Sequence, residues 1–178
     1  MNQALRIALA VTLLLPLALD PLAAQESNTA TSFGGVRSFG QADYSWRIRA
    51  LGGRSITLSD FKGRVLFINL WASWCTPCVR ELKSIERLKQ RLAGTKVEFL
   101  IIAAEGERSV EQFLRRYPYD LPIYLEEQRA PAAFGLRGLP SSWVIDQNGQ
   151  IVLVRYGEAV WDRDAIEQFL RALAIRQP

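Results

Sequence analysis

The junction Trp71-Ala72-Ser73-Trp74-Cys75-Thr76-Pro77-Cys78 restricts this chain more than any other stretch. It holds both cysteines of a 178-residue chain that contains no histidine. Before it runs Val65-Leu66-Phe67-Ile68-Asn69-Leu70, almost continuously apolar, as a strand must be when both of its faces are covered. After it, apolar residues recur at helical spacing from about Thr76 to Ala93, and Gly94 closes the stretch. A buried strand that hands over to a helix across two thiols points to an α/β domain. At the spacing Cys-x-x-Cys the sulfurs can close a small ring and reopen it, carrying two electrons and two protons, so thiol–disulfide exchange is the expected chemistry.

Competing uses of the motif lack partners. A structural zinc site takes about four protein ligands, and two thiolates without imidazole fall short. Haem attachment needs a histidine after the second cysteine, where Val79 stands. A purely structural bridge across so short a span removes little loop entropy and stabilises poorly. Cu(I) on two soft thiolates remains a coherent alternative, that of a metallochaperone. Exchange itself requires no metal and no cofactor.

The helix start gives each thiol a role. With Cys75 at the N-terminus, unpaired backbone N–H groups and the helix dipole favour its thiolate. Pro77 suits the first turn, where its missing donor costs nothing. Cys75 is then the exposed attacking sulfur, and Cys78, one turn inward, the resolving one. At about 100° per residue, Leu82, Ile85, Leu88 and Leu92 share an arc with Cys78, and Glu81 falls inside it. A partly desolvated carboxyl there has a raised pKa and suits proton exchange with a neighbouring thiol, whereas a solvated first-turn Glu would not. Lys89 also falls in the arc, where its long stem would have to snorkel.

Elsewhere the texture is that of one domain behind a leader. Arg6 precedes an apolar run from Ile7 to Leu19 broken by Thr12 and Pro16, with small residues to Ala24. The run is shorter than the roughly 20 residues needed to cross a bilayer and matches a signal peptide over 1–24. Leu22 stands where cleavage prefers a small residue, so an uncleaved N-terminal membrane tether is the alternative. Residues 25–43 read as a linker or frayed arm, and 44–178 as the domain. Export places the thiols in an oxidising compartment, periplasmic or otherwise extracytoplasmic. The 22 basic and 18 acidic residues are interspersed, so no nucleic-acid partner is expected.

Strands are expected at 45–51, 65–70, 97–103, 122–125, 142–145 and 151–156. The last two should form a hairpin around an Asn148-Gly149 turn. Ser109 with Gln112 resembles a capping box opening a helix to Arg116, Ala130 to Phe134 a helical turn, and Asp162 the cap of a last helix.

Three stretches carry a family resemblance: Leu58-Ser59-Asp60-Phe61-Lys62-Gly63, Asn69 through Glu81, and Gly138-Leu139-Pro140-Ser141-Ser142-Trp143-Val144-Ile145-Asp146-Gln147-Asn148-Gly149. Over about 45–175 the chain resembles the thioredoxin superfamily, and within it the exported TlpA/ResA/CcmG-like group. The resemblance implies a thioredoxin fold, a central mixed sheet flanked by helices, here with an N-terminal extension. It implies a cis bond before Pro140 facing the dithiol, and substrate contacts from Trp74, Thr76, Pro77, Leu139 and Pro140, with the Leu139 backbone offered to an extended substrate chain. It also implies a functional acid at Glu81. Asn69 stands where cytosolic thioredoxins carry a buried Asp, and an amide cannot take up that proton. The implied activity is reduction of cysteine-containing proteins in cytochrome c or copper-site assembly, recharged by a membrane thiol reductant. The same dithiol can run as an oxidant. Lys83, where relatives often have Pro, and Ser141-Ser142 after the proline depart from the pattern.

Overall fold

The computed structural model describes residues 32–33 and 36–175. The expected leader, 1–24, lies outside them. A short antiparallel pair, β1 (Ser32–Phe33) and β2 (Val36–Arg37), precedes β3 (Arg47–Ala50), β4 (Ser55–Thr57), β5 (Val65–Trp71), α1 (Thr76–Arg91), β6 (Val97–Ala103) and α2 (Glu107–Arg116). There follow β7 (Ile123–Glu126), β8 (Ser141–Ile145), β9 (Ile151–Tyr156) and α3 (Asp164–Ile175).

Seven strands form one sheet in the order β4-β3-β7-β6-β5-β8-β9. The β5–β6 and β6–β7 pairs are parallel, each joined by a helical crossover, and β5–β8, β8–β9, β3–β7 and β3–β4 are antiparallel. The sheet is therefore mixed, as expected, and β5 lies inside it. Every residue of β5 is buried, which its unbroken apolar run requires.

Strand alternation splits the core in two. Val65, Phe67 and Trp71 join Phe99, Ile101 and Ala103 on one face, where Leu82, Ile85 and Leu88 of α1, Val110 of α2, and Leu170 and Leu173 of α3 also pack. Leu66, Ile68 and Leu70 face the other way, onto Trp46, Leu58, Phe134 and Trp143. The dithiol sits at the first face, where β5 ends and α1 begins.

Three local expectations are corrected. Helix α2 starts at Glu107, two residues before Ser109, with Gly106 as its unassisted cap. The first-turn Glu107 accepts bonds from both terminal nitrogens of Arg49 and from Gly52 N–H, a tertiary anchor that outweighs the local capping-box signal. Helix α3 starts at Asp164, because the Asp162 carboxylate is taken by Arg87 Nε at 2.5 Å. The β8–β9 turn is opened by Asp146, whose carboxylate accepts from Asn148 and Gln150 N–H, so the connection is longer than a two-residue Asn-Gly turn. Gly149 closes it at φ +82, and a Cβ there would run into Gln41. Within the segment read as a linker, Phe39 and Ala42 N–H donate to Ile151 and Gly149 O, so residues 38–42 lie along this hairpin.

Candidate active site

Cys75 is the N-cap of α1, and the Cys78 N–H donates to its Sγ at 3.3 Å. Pro77 occupies the first turn, so the local chain does what its residue types favour. The two cysteines are joined in a disulfide. Cys75 is 7% exposed and Cys78 fully buried, so the sulfur expected to attack is more enclosed than the sequence suggests yet is the more accessible of the two. Trp74 beside it is 69% exposed. The loop ahead of the dithiol is clamped from β6: Glu105 accepts both the N–H and the hydroxyl of Ser73, and Ala104 N–H donates to Trp71 O at 2.8 Å.

Glu81 lies one turn below Cys78, 1% exposed. Its Oε1 accepts from Asn69 Nδ2 at 2.7 Å, and its Oε2 from Ala159 N–H at 3.0 Å and Trp161 Nε1 at 3.1 Å. Burial pushes its pKa above the ordinary carboxylate value; the three donors pull the other way without cancelling that effect, and the nearby Glu158 charge adds to the rise. Asn69 also donates to Ser142 Oγ at 2.9 Å, and among the described residues its own Oδ1 has no partner. The Trp71 indole N–H beside the loop is likewise unpaired. Lys89, in the same arc, reaches out to Asp120 at 2.9 Å, its stem snorkelling as the wheel requires.

The third stretch of the resemblance returns to the same end of the sheet. Leu139–Pro140 is a cis peptide bond, with Pro140 buried and its carbonyl accepting from Gly157 N–H at 2.9 Å. Trp74 and Leu139 line one surface depression of about 540 Å³. Thr76 is exposed and Pro77 half-buried at the helix start. Cys75, Cys78 and Glu81 thus share one helix, with Trp74 and Leu139 flanking the groove beside it.

Sequence reasoning missed Glu105, Ser142, Ala159 and Trp161. Ala159 and Trp161 lie 78 and 80 residues from the carboxyl they bind, and no local period connects them. Among the described residues no group of three or more His, Cys, Asp or Glu could hold a metal ion, and no helix is long and apolar enough to cross a membrane.

The Redoxin family model matches residues 27–170. The chain is 30% identical over 136 residues to the thiol-disulfide oxidoreductase ResA of Halalkalibacterium halodurans, covering 75% of this chain and 76% of that one. It is 29% identical over 122 residues to the thioredoxin-like protein YneN of Bacillus subtilis, covering 66% and 71%. A solved thiol:disulfide interchange protein of the thioredoxin family from Chlorobium tepidum shares the fold at a TM-score of 0.62, with 24% identity over 73% of this chain and 94% of that one.

Proposed function

The chain belongs to the Redoxin family and is a thiol–disulfide oxidoreductase of the TlpA/ResA/CcmG-like group, and we propose that it works outside the cytoplasm as a reductant of substrate-protein disulfides. In this reading 1–24 is a leader or anchor, 25–43 joins it to the domain, and a membrane thiol reductant recharges the dithiol. The substrates are proteins whose cysteines must stay reduced, as cytochrome c or copper-site assembly demands. The observation that carries the reading is a Cys75 N-cap disulfide with a buried carboxyl one turn below it.

The reaction balances within the site. The Cys75 thiolate attacks one sulfur of a substrate disulfide, that S–S bond breaks, and the first substrate thiolate leaves. Cys78 then loses its proton and attacks Cys75 Sγ, releasing the second substrate thiolate and forming the Cys75–Cys78 disulfide. Two electrons have passed to the substrate. The helix N-terminus stabilises the Cys75 thiolate. Glu81, its carboxylate held ready by three donors, accepts the Cys78 proton. The Leu139 backbone aligns the substrate chain, with Trp74, Thr76, Pro77 and Pro140 around the reacting sulfur.

Two measurements test this. Cys78→Ser should trap a substrate on Cys75 as a mixed disulfide, while Cys75→Ser should trap nothing; capture on Cys78 would reverse the roles. The reduction potential of the pair should lie below about −220 mV. A value near −120 mV would identify an oxidant instead.

A further inference from the structure

The groove between Trp74 and Leu139 carries charges of both signs, engaged to different extents. Its lining includes two acids, Glu126 and Glu127, and two cations, Arg129 and Arg137. The acids are engaged from within the molecule. Glu127 Oε1 accepts from Ser55 Oγ at 2.7 Å and lies 3.4 Å from Arg49 Nε, and Glu126 Oε1 accepts from Ala130 N–H at 2.8 Å. Both arginines are exposed, and among the described residues neither reaches a carboxylate within ion-pair distance.

Arg137 is also held in place. Its guanidinium lies over the Tyr156 ring at 5.2 Å, and the Tyr156 hydroxyl donates to Gly135 O at 2.7 Å, tying the strand to the loop that carries the arginine. A cation over an aromatic face forms no ion pair there, and the planar fork of guanidinium N–H donors matches a carboxylate. Arg137 stands two residues before Leu139. A chain paired with the Leu139 backbone would pass Arg137 about two residues, roughly 7 Å, from the paired residue.

We propose that this groove selects polypeptide segments carrying carboxylates beside their cysteine, and that Arg137 and Arg129 are the residues that make the choice. The proposal rests on the dithiol reading above and adds to it the chemical class of the preferred substrate. The arginines act on docking, while bond exchange belongs to the cysteines.

The test uses the reduced protein and synthetic peptides with one internal disulfide, flanked by Asp and Glu, by Ser and Gly, or by Lys and Arg. Each rate is divided by the rate at which dithiothreitol reduces the same peptide, which removes the peptide's own reactivity. The acidic peptide should exceed the basic one in corrected kcat/KM by roughly tenfold at low salt, as expected for a few rim charges, and the ratio should shrink as salt screens them. In Arg129→Gln/Arg137→Gln the ratio should fall to near one. Because the ratio compares two substrates on one protein, a general loss of reactivity cancels. Equal or reversed ratios in the wild type, with brisk reduction of the neutral peptide, would overturn the arginine proposal and leave the dithiol reading standing. A failure to reduce any peptide, or a small neutral disulfide, would bring down that reading and the proposal with it.

Discussion

Strand β5 has a buried region on each side, and the two treat polar atoms differently. On one side Trp143 packs edge to face on both Trp46 and Phe134, which are tilted against each other, with ring centroids 4.9 to 6.1 Å apart. Each indole N–H there finds a backbone carbonyl, Trp46 at Gln128 and Trp143 at Phe134, both at 2.8 Å. On the other side sit the dithiol and Glu81, and there Asn69 Oδ1 and Trp71 Nε1 go unpaired among the described residues. An orphaned buried polar group costs on the order of 1–3 kcal/mol. On the aromatic side the indole donors are paired, whereas the dithiol side keeps a desolvated carboxyl and incomplete hydrogen bonding, the pattern that clusters at functional sites.

The sharpest break in this comparison is Trp143→Ala. Truncating a fully buried tryptophan should lower stability by about 3–5 kcal/mol, read from denaturant unfolding. Exchange per folded molecule should stay at the wild-type rate, and a matching collapse of the rate would mean the two regions are not separable.

Trp161→Phe probes the other side with less damage. It replaces the indole that packs edge to face on Phe67 at 4.9 Å with a smaller aromatic ring and removes one donor to Glu81. At neutral pH the lost bond should cost about 1.5–3 kcal/mol, the range of a hydrogen bond to a charged group, and that part of the loss should shrink in acid, where the carboxyl is neutral. A loss independent of pH would show that the indole serves packing alone.

A smaller effect follows from linkage, measured on the oxidised protein so that the thiols do not titrate. The folded pKa of Glu81 is raised above its ordinary value of 4.5, so its proton favours the folded state. That contribution is fully present below the unfolded value and is lost as pH rises through the folded one. The thermal midpoint of wild type relative to Glu81→Gln should therefore fall as pH climbs above 4.5. A midpoint difference that rises with pH would mean that the three donors outweigh desolvation.

Much of the dithiol side is written in local pattern. The apolar run of β5, the cap position of Cys75 and the arc placing Glu81 among Leu82, Ile85 and Leu88 all follow from neighbours within a few turns. The partners of Glu81 do not, because Ala159 and Trp161 arrive from the far end of the chain and Ser142 acts through Asn69. Glu105 is similarly hidden, an exposed-looking acid after β6 that becomes a clamp only once β6 lies beside β5. The starts of α2 and α3 misled for the same reason: Glu107 with Arg49, and Arg87 with Asp162, are tertiary pairs that compete with the local cap signals.

If the buried carboxyl takes part in exchange, wild type and Glu81→Gln must differ in their rates with a model disulfide followed from about pH 5 to 9. Gln keeps the size and much of the hydrogen bonding but does not ionise in this range. Thiol and carboxyl titrate as a coupled pair, so the whole profile is compared rather than one midpoint. The variant should be slower near neutral pH and should lose the part of the wild-type profile that follows Glu81 ionisation. Superimposable profiles at equal rates would leave Glu81 a buried acid with no part in the chemistry.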